Sequence, residues 1–213
     1  MTGATGMVGG GVLQECLDSA DVERVLSIGR RSVGKVHPKL EEILLDDLEN
    51  LEPVAPRLAG YNACFHCMGV SALGMSEARY EALTYGISDA LVRALLANDT
   101  DYTVIYVSGQ GTNADGTLHW QKVKGQTENR VLEAGFRDAY AFRPGVILPE
   151  KGIRSATGWY NMAYGLMRPF YPLLRKMKSV TTTAQLGRAM LSLVREPQPT
   201  KVVEAAQIRQ TGG

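Results

Sequence analysis

The chain has 213 residues, a length for one domain or one domain with an appendage, and enough to bury a core without a disulfide or metal staple. Hydrophobic residues at 45% and charged residues at 21% exclude a disordered chain. Lys+Arg 23 against Asp+Glu 22 leaves a formal charge of +1, which removes the electrostatic case for nucleic acid as a partner. Cys16, Cys64 and Cys67 cannot pair completely and no export-type segment opens the chain, so a reducing, cytoplasmic setting is expected. No apolar run reaches the length of a spanning helix, so a soluble protein is expected.

Directly after Met1 stands TGATGMVGGGVLQECL, with Gly3, Gly6 and Gly9 at three-residue steps and helical spacing over 8–19. Glycines there permit a tight turn and close backbone approach to a diphosphate, while the helix start supplies free N–H groups and a positive dipole end. Only Met1 and Thr2 precede Gly3, where a dinucleotide-binding sheet has its central strand. Losing that strand would leave two rows of backbone groups unpaired. The natural start is therefore expected upstream, or vector residues or a partner chain supply the strand.

VERVLSI (22–28) is the next predicted strand, ending in IGRRS, followed by LEEILLD (40–46) and YNACFHCM (61–68). Apolar spacing predicts a helix over 76–98, a strand over YTVIYVS (102–108), a helix over 119–135 and a strand over AYAFRPG (139–145). Strands separated by helices imply parallel pairing, hence an α/β doubly wound, Rossmann-like parallel sheet over residues 1–150. Residues 151–213 are expected to form a small substrate-side lobe with a helix returning to the core over 181–194, its start marked by threonines. Pro169 and Pro172 break GWYNMAYGLMRPFYPLLRKM (158–177), whose aromatic and basic mix also fits a membrane surface as the lesser alternative.

Cys64, His66 and Cys67 invite a zinc reading, but they lie on one strand with alternating faces and lack a second ligand pair, so they are expected in the core and no metal is expected. His37 beside Pro38 is a loop residue. No nucleophile-elbow pattern supports a hydrolase.

The sequence resembles the short-chain dehydrogenase/reductase superfamily in its extended and atypical branch, over about residues 2–194. Thr2, Gly3, Gly6 and Gly9 match the family's TGxxGxxG. Asp47-Leu48 looks like the acidic-apolar pair flanking adenine, and Cys67, Met68 and Gly69 stand where the fourth strand passes the ribose and nicotinamide. Ser108 ends the fifth strand, Lys124 starts the following helix, and Arg143-Pro144-Gly145 looks like the turn after the sixth strand. LHWQKVKGQTENRVL is similar to a group of bacterial proteins labelled NAD-dependent epimerases or dehydratases. The resemblance also implies cofactor contacts from Thr5, Met7 and Val8 in the glycine loop and helix start, and from Pro144, Gly145 and Val146.

An acidic residue at the end of the second strand would accept the ribose hydroxyls of NAD. This chain has Arg30 and Arg31, which favours NADP over NAD through charge-assisted phosphate contacts. The family pattern implies that Ser108 orients the substrate oxygen and that Lys124 holds the ribose. Four residues before Lys124, where the family has its proton-transferring Tyr, stands Trp120, whose indole N–H is not a usable acid near neutral pH. A replacement donor would come from Tyr85, His119, Tyr160 or Tyr164, with His119 turned about 100° from Trp120 on the same helix. Two functions remain open. One is an NADP-dependent oxidoreductase or epimerase for a small carbonyl or sugar-like substrate; the other is a non-catalytic NADP(H)-sensing module that regulates a protein partner.

Overall fold

The computed structural model describes residues 1–151, 177 and 179–213. Helix α1 spans Met7–Asp18, followed by strands β1 (Val25–Gly29) and β2 (Leu40–Leu44). Strand β3 (Ala63–His66) leads into α2 (Glu77–Glu81), a π turn (Ala82–Gly86) and α3 (Ile87–Leu96). Then come β4 (Thr103–Val107), α4 (His119–Leu132), β5 (Asp138–Arg143) and β6 (Val146–Leu148). The chain closes with β7 (Val180–Thr182), α5 (Thr183–Arg195), β8 (Val202–Glu204) and α6 (Ala205–Thr211).

Every strand pair is parallel: β2 lies on β1, β3–β4–β5–β8 form a second run, and β6 pairs with β7. Met1 and Thr2 join the two runs, since Thr2 bridges both Ile28 and His66. The doubly wound parallel sheet predicted from the alternation is therefore observed. β4 shows why it forms. All of its residues are buried, with Val104 and Tyr106 in the layer of α3 and Ile105 and Val107 in the layer of α1 and α5. A β-branched and aromatic run buried on both faces suits a central parallel strand.

Several elements depart from the sequence reading. β1 begins at Val25, because Val22 closes a turn on the Ser19 carbonyl. A 3-10 helix over Glu52–Leu58 was not foreseen, because Pro53 and Pro56 argue against a helix; it nevertheless buries Ala55 and Leu58. The helix over 76–98 is interrupted by the π turn, in which the Ser88 hydroxyl donates to the Thr84 carbonyl at 2.5 Å. The strand at 139–145 stops at Arg143, before the proline that cannot continue the ladder.

The predicted threonine-started helix after residue 180 is α5, with a reciprocal cap. Thr182 Oγ1 accepts from the Gln185 amide and Gln185 Oε1 from the Thr182 amide, each at 3.1 Å. α5 packs along α1, and β8 extends the sheet at β5. The segment 158–177 lies outside the described residues except for Met177, as do Tyr160 and Tyr164. Among the described residues, no helix is long and apolar enough to cross a membrane.

Candidate functional site

The glycine loop sits at the C-terminal end of the sheet, held there by backbone contacts that tolerate no side chain at two positions. Gly3 has φ +76°, and a Cβ there would stand 2.6 Å from the Cys67 carbonyl carbon. A Cβ on Gly9 would stand 2.5 Å from the Gly3 carbonyl carbon. The loop thus seats α1 directly against its own backbone. Gly6 is the N-cap of α1 and no side chain caps that end, which leaves the leading amides of Met7 and Val8 with the positive end of the helix dipole at the loop.

Beside this loop lies a pocket of about 430 Å³. Its floor is Gly3, Ala4, Thr5 and Gly6; one wall is Ser27 to Arg31 with Asp46 to Glu49, and the other is Cys67 to Val70. Arg30, Arg31, Asp47, Leu48, Cys67, Met68 and Gly69 all come together here. Gly69 differs from the loop glycines, because a Cβ there would meet nothing within 4 Å. Arg79, Leu83 and Ile87 complete the lining. Sequence reading missed these three, although their four-residue spacing marks one face of a helix. Among the described residues, Arg30, Arg31 and Arg79 make no ion pair, although Asp46, Asp47 and Glu49 line the same pocket. Three guanidinium groups are thus available to an anion.

Ser108 and Lys124 form a separate cluster at the end of β4. Lys124 Nζ donates to the Ser108 carbonyl at 3.3 Å and stands 5.9 Å over the Tyr106 ring. Burial lowers the Lys124 pKa, an effect that Glu128 opposes. The Thr112 hydroxyl donates to the Gly109 carbonyl at 2.8 Å, so the 2.9 Å contact between Ser108 Oγ and Thr112 Oγ1 takes its hydrogen from Ser108. Ser108 Oγ is left with acceptor lone pairs.

Trp120 is half-buried, and its ring edge lies 3.5 Å from where a Gly111 Cβ would be, so it packs over the 109–112 turn. His119 is turned to α2, where it contacts the Glu77 carbonyl at 3.3 Å and stacks edge-on with Tyr80 at 6.2 Å. Tyr85 lies in the π turn and is not among the pocket-lining residues. Pro144, Gly145 and Val146 connect β5 to β6. The Pro144 carbonyl accepts from Gln110 N and the Val146 amide donates to the Ser179 carbonyl.

Trp120→Phe is expected to leave dinucleotide affinity within about twofold, because packing survives and no acid is removed. Lys124→Ala is expected to weaken it by about tenfold or more through loss of a charged contact. Titration of both variants with NADPH, followed by fluorescence, checks the pair.

Cys64, His66 and Cys67 are buried, and both His66 ring nitrogens are engaged by hydroxyls, Thr2 Oγ1 at 2.6 Å and Ser88 Oγ at 2.8 Å. Burial pushes the Cys16 thiol up to about 12 and raises the Cys64 thiol.

A parallel sheet with a glycine loop and a bare helix start at the C-terminal ends of its strands is the architecture of a dinucleotide-binding protein. The chain has the fold of the extended short-chain dehydrogenases/reductases. It superimposes on UDP-glucuronic acid 4-epimerase from Bacillus cereus in complex with NAD with a TM-score of 0.67 at 12% identity, over 95% of this chain and 76% of that one. On a thiolation-reductase di-domain from an archaeal non-ribosomal peptide synthetase the TM-score is 0.72 at 12% identity, over 96% and 69%. Among curated proteins, the chain is 27% identical over 151 residues to "Protein FMP52-1, mitochondrial" of Scheffersomyces stipitis, covering 70% of this chain and 66% of that protein. The chain thus spans about two thirds of the length of the curated relatives it matches. No family model matches. The expectation of a cytoplasmic location is overturned, because relatives across yeasts and Aspergillus carry the designation mitochondrial. Reduced cysteines and the composition of the first residues do not distinguish the cytosol from an organelle interior.

Proposed function

We propose that the chain binds NADP(H) in the pocket beside the glycine loop and acts as an oxidoreductase or epimerase on a small carbonyl or sugar-like substrate. The observation that carries this reading is the juxtaposition of an uncapped helix start with Arg30 and Arg31, which have no carboxylate partner among the described residues. The residues present fit a dinucleotide. Gly3 and Gly9 bring backbone to backbone, and Gly69 leaves open space along the wall. Gly3 to Gly6 and the first turn of α1 would hold the diphosphate, Arg30 and Arg31 the 2′-phosphate, and Asp47-Leu48 the adenine side. When bound, the nicotinamide supplies or accepts hydride.

The remaining roles belong to the chain. Lys124, with a lowered pKa and a cation's reach past Tyr106, binds the ribose. Ser108 Oγ, its hydrogen committed to Thr112, accepts a hydrogen bond from a substrate hydroxyl and so suits an alcohol better than a ketone. Trp120 shapes the pocket and moves no proton. That same Trp120 favours the second reading, an NADP(H)-sensing module without turnover that regulates a protein partner.

Binding decides the cofactor. Arg30→Ala together with Arg31→Ala is expected to weaken NADPH by about 10- to 150-fold per lost charged contact while hardly changing NADH. Equal weakening of both would move the arginines to the shared diphosphate or adenine. Absorbance at 340 nm during an alcohol and carbonyl screen separates the two functions. Thermal stabilisation by NADPH with no turnover on any substrate would favour the sensing module.

A further inference from the structure

Between β1 and β3 the sheet is joined by Met1 and Thr2 alone. Toward the N-terminal ends of those strands a cavity of about 350 Å³ opens, walled by Leu26 on one side and Ala63 and Phe65 on the other. Cys16, Leu191 and Val194 close it from the α1 and α5 layer. On the opposite face a smaller space of about 30 Å³ touches the same Met1, Leu26 and Ala63 and is closed by Leu58, Leu91 and Leu95. The slot therefore runs through the middle of the sheet and is apolar on both faces.

Its edges carry a definite hydrogen-bonding register. Met1 serves β1: its amino group donates to Leu26 O at 2.6 Å and its carbonyl accepts from Ile28 N at 2.9 Å. Thr2 serves β3: its amide donates to Phe65 O at 3.0 Å and its carbonyl accepts from Cys67 N at 3.2 Å. Partners alternate along a parallel strand. One residue before Met1 would meet Ala63 O and Phe65 N, and the residue before that would meet Arg24 O and Leu26 N. β2 and β4 do not use these groups. β2 receives Val25 N on Lys39 O, and β4 sends Thr103 N to Asn62 O, so the alternate residues of β1 and β3 face the slot. Buried backbone groups without partners are costly, so a slot with both edges facing inward favours a strand over an apolar ligand.

We propose that this slot seats one further strand, parallel to β1 and β3, peptide-bonded to Met1 and apolar on both faces. The line of the chain points to this occupant. Met1 N already lies in the ladder, so a preceding residue enters the slot with no change of direction, whereas a separate chain would have to end against the Met1 ammonium.

The test joins to Met1 an extension of about five residues, the common strand length, reading Lys-Val-Ile-Val-Leu, against a control reading Lys-Gly-Ser-Gly-Ser. The apolar extension is expected to raise Tm over the control by about 5 °C or more and to slow exchange of the Leu26 and Phe65 amides by about tenfold or more. A proline in place of the residue next to Met1, which removes the donor to Ala63 O, should forfeit part of that gain. Equal Tm and equal amide exchange for the two extensions would overturn the proposal. So would protection by the free peptide added in trans when the fused extension gives none, since the occupant would then be a separate chain.

Discussion

Gly9→Ala is expected to lower stability by about 3 kcal/mol or more and to abolish dinucleotide binding, whereas Gly69→Ala is expected to weaken binding with little change in stability. The difference lies in what each new Cβ meets. At Gly9 it lies 2.5 Å from the carbonyl carbon of Gly3 and closer still to its oxygen, and 3.0 Å from the Ala4 nitrogen. These are backbone atoms, so α1 must withdraw from the loop. The movement also disturbs Gly3, whose own φ of +76° and tight approach to Cys67 leave it no freedom to yield. At Gly69 the Cβ enters open space within the pocket, so only a ligand lying along that wall would feel it. Thermal melts with and without NADPH check both variants. Unchanged NADPH affinity in Gly69→Ala would remove the dinucleotide from the Cys67–Val70 wall.

Much of this site is legible in the sequence because its parts are local. Gly3, Gly6 and Gly9 fall on one turn and one helix start, and Arg30, Asp47 and Cys67 each follow a run whose apolar pattern marks a strand. Once the strands are parallel and wound in order, their C-terminal ends must meet, and the pocket follows from topology. Arg79 escaped notice because it reaches the pocket from the middle of the chain on a helix face that only tertiary packing selects. The 3-10 helix escaped because its two prolines argue against helix locally, and burial of Ala55 and Leu58 overrides them. β6, β7 and β8 are three residues each, too short for a period-two pattern to register. The hydrogen commitment of Ser108 is likewise invisible in sequence, since it depends on which carbonyl the Thr112 hydroxyl finds.

His66 should make the fold acid-sensitive. Its Nε2 contacts Ser88 Oγ at 2.8 Å, and because that hydroxyl already donates to the Thr84 carbonyl, Nε2 must carry the hydrogen. Nδ1 is then the acceptor for Thr2 Oγ1 at 2.6 Å, so the neutral ring ties the start of the glycine loop to the π turn and α3. Protonation would require a charge at a site 2% exposed. Burial, then the Met1 amino group, then Lys124 push the pKa from 6.5 down to about 3. In the unfolded chain the ring takes its proton near 6.5. The folded state therefore binds fewer protons between those values, and the contribution of His66 is full above about pH 6.5 and falls by about 1.4 kcal/mol per unit as the pH drops toward 3. His66→Gln keeps a donor for Ser88 but cannot titrate. Between pH 8 and pH 4.5 the wild type is expected to lose about 2 to 3 kcal/mol more than this variant, as read by urea denaturation at each pH. Parallel losses in the two proteins would mean that His66 is protonated in the fold or that the unfolded ring is shielded from solvent. A steeper loss in wild type would show that opening of the Thr2–His66–Ser88 link, at the root of the nucleotide loop, is coupled to proton uptake.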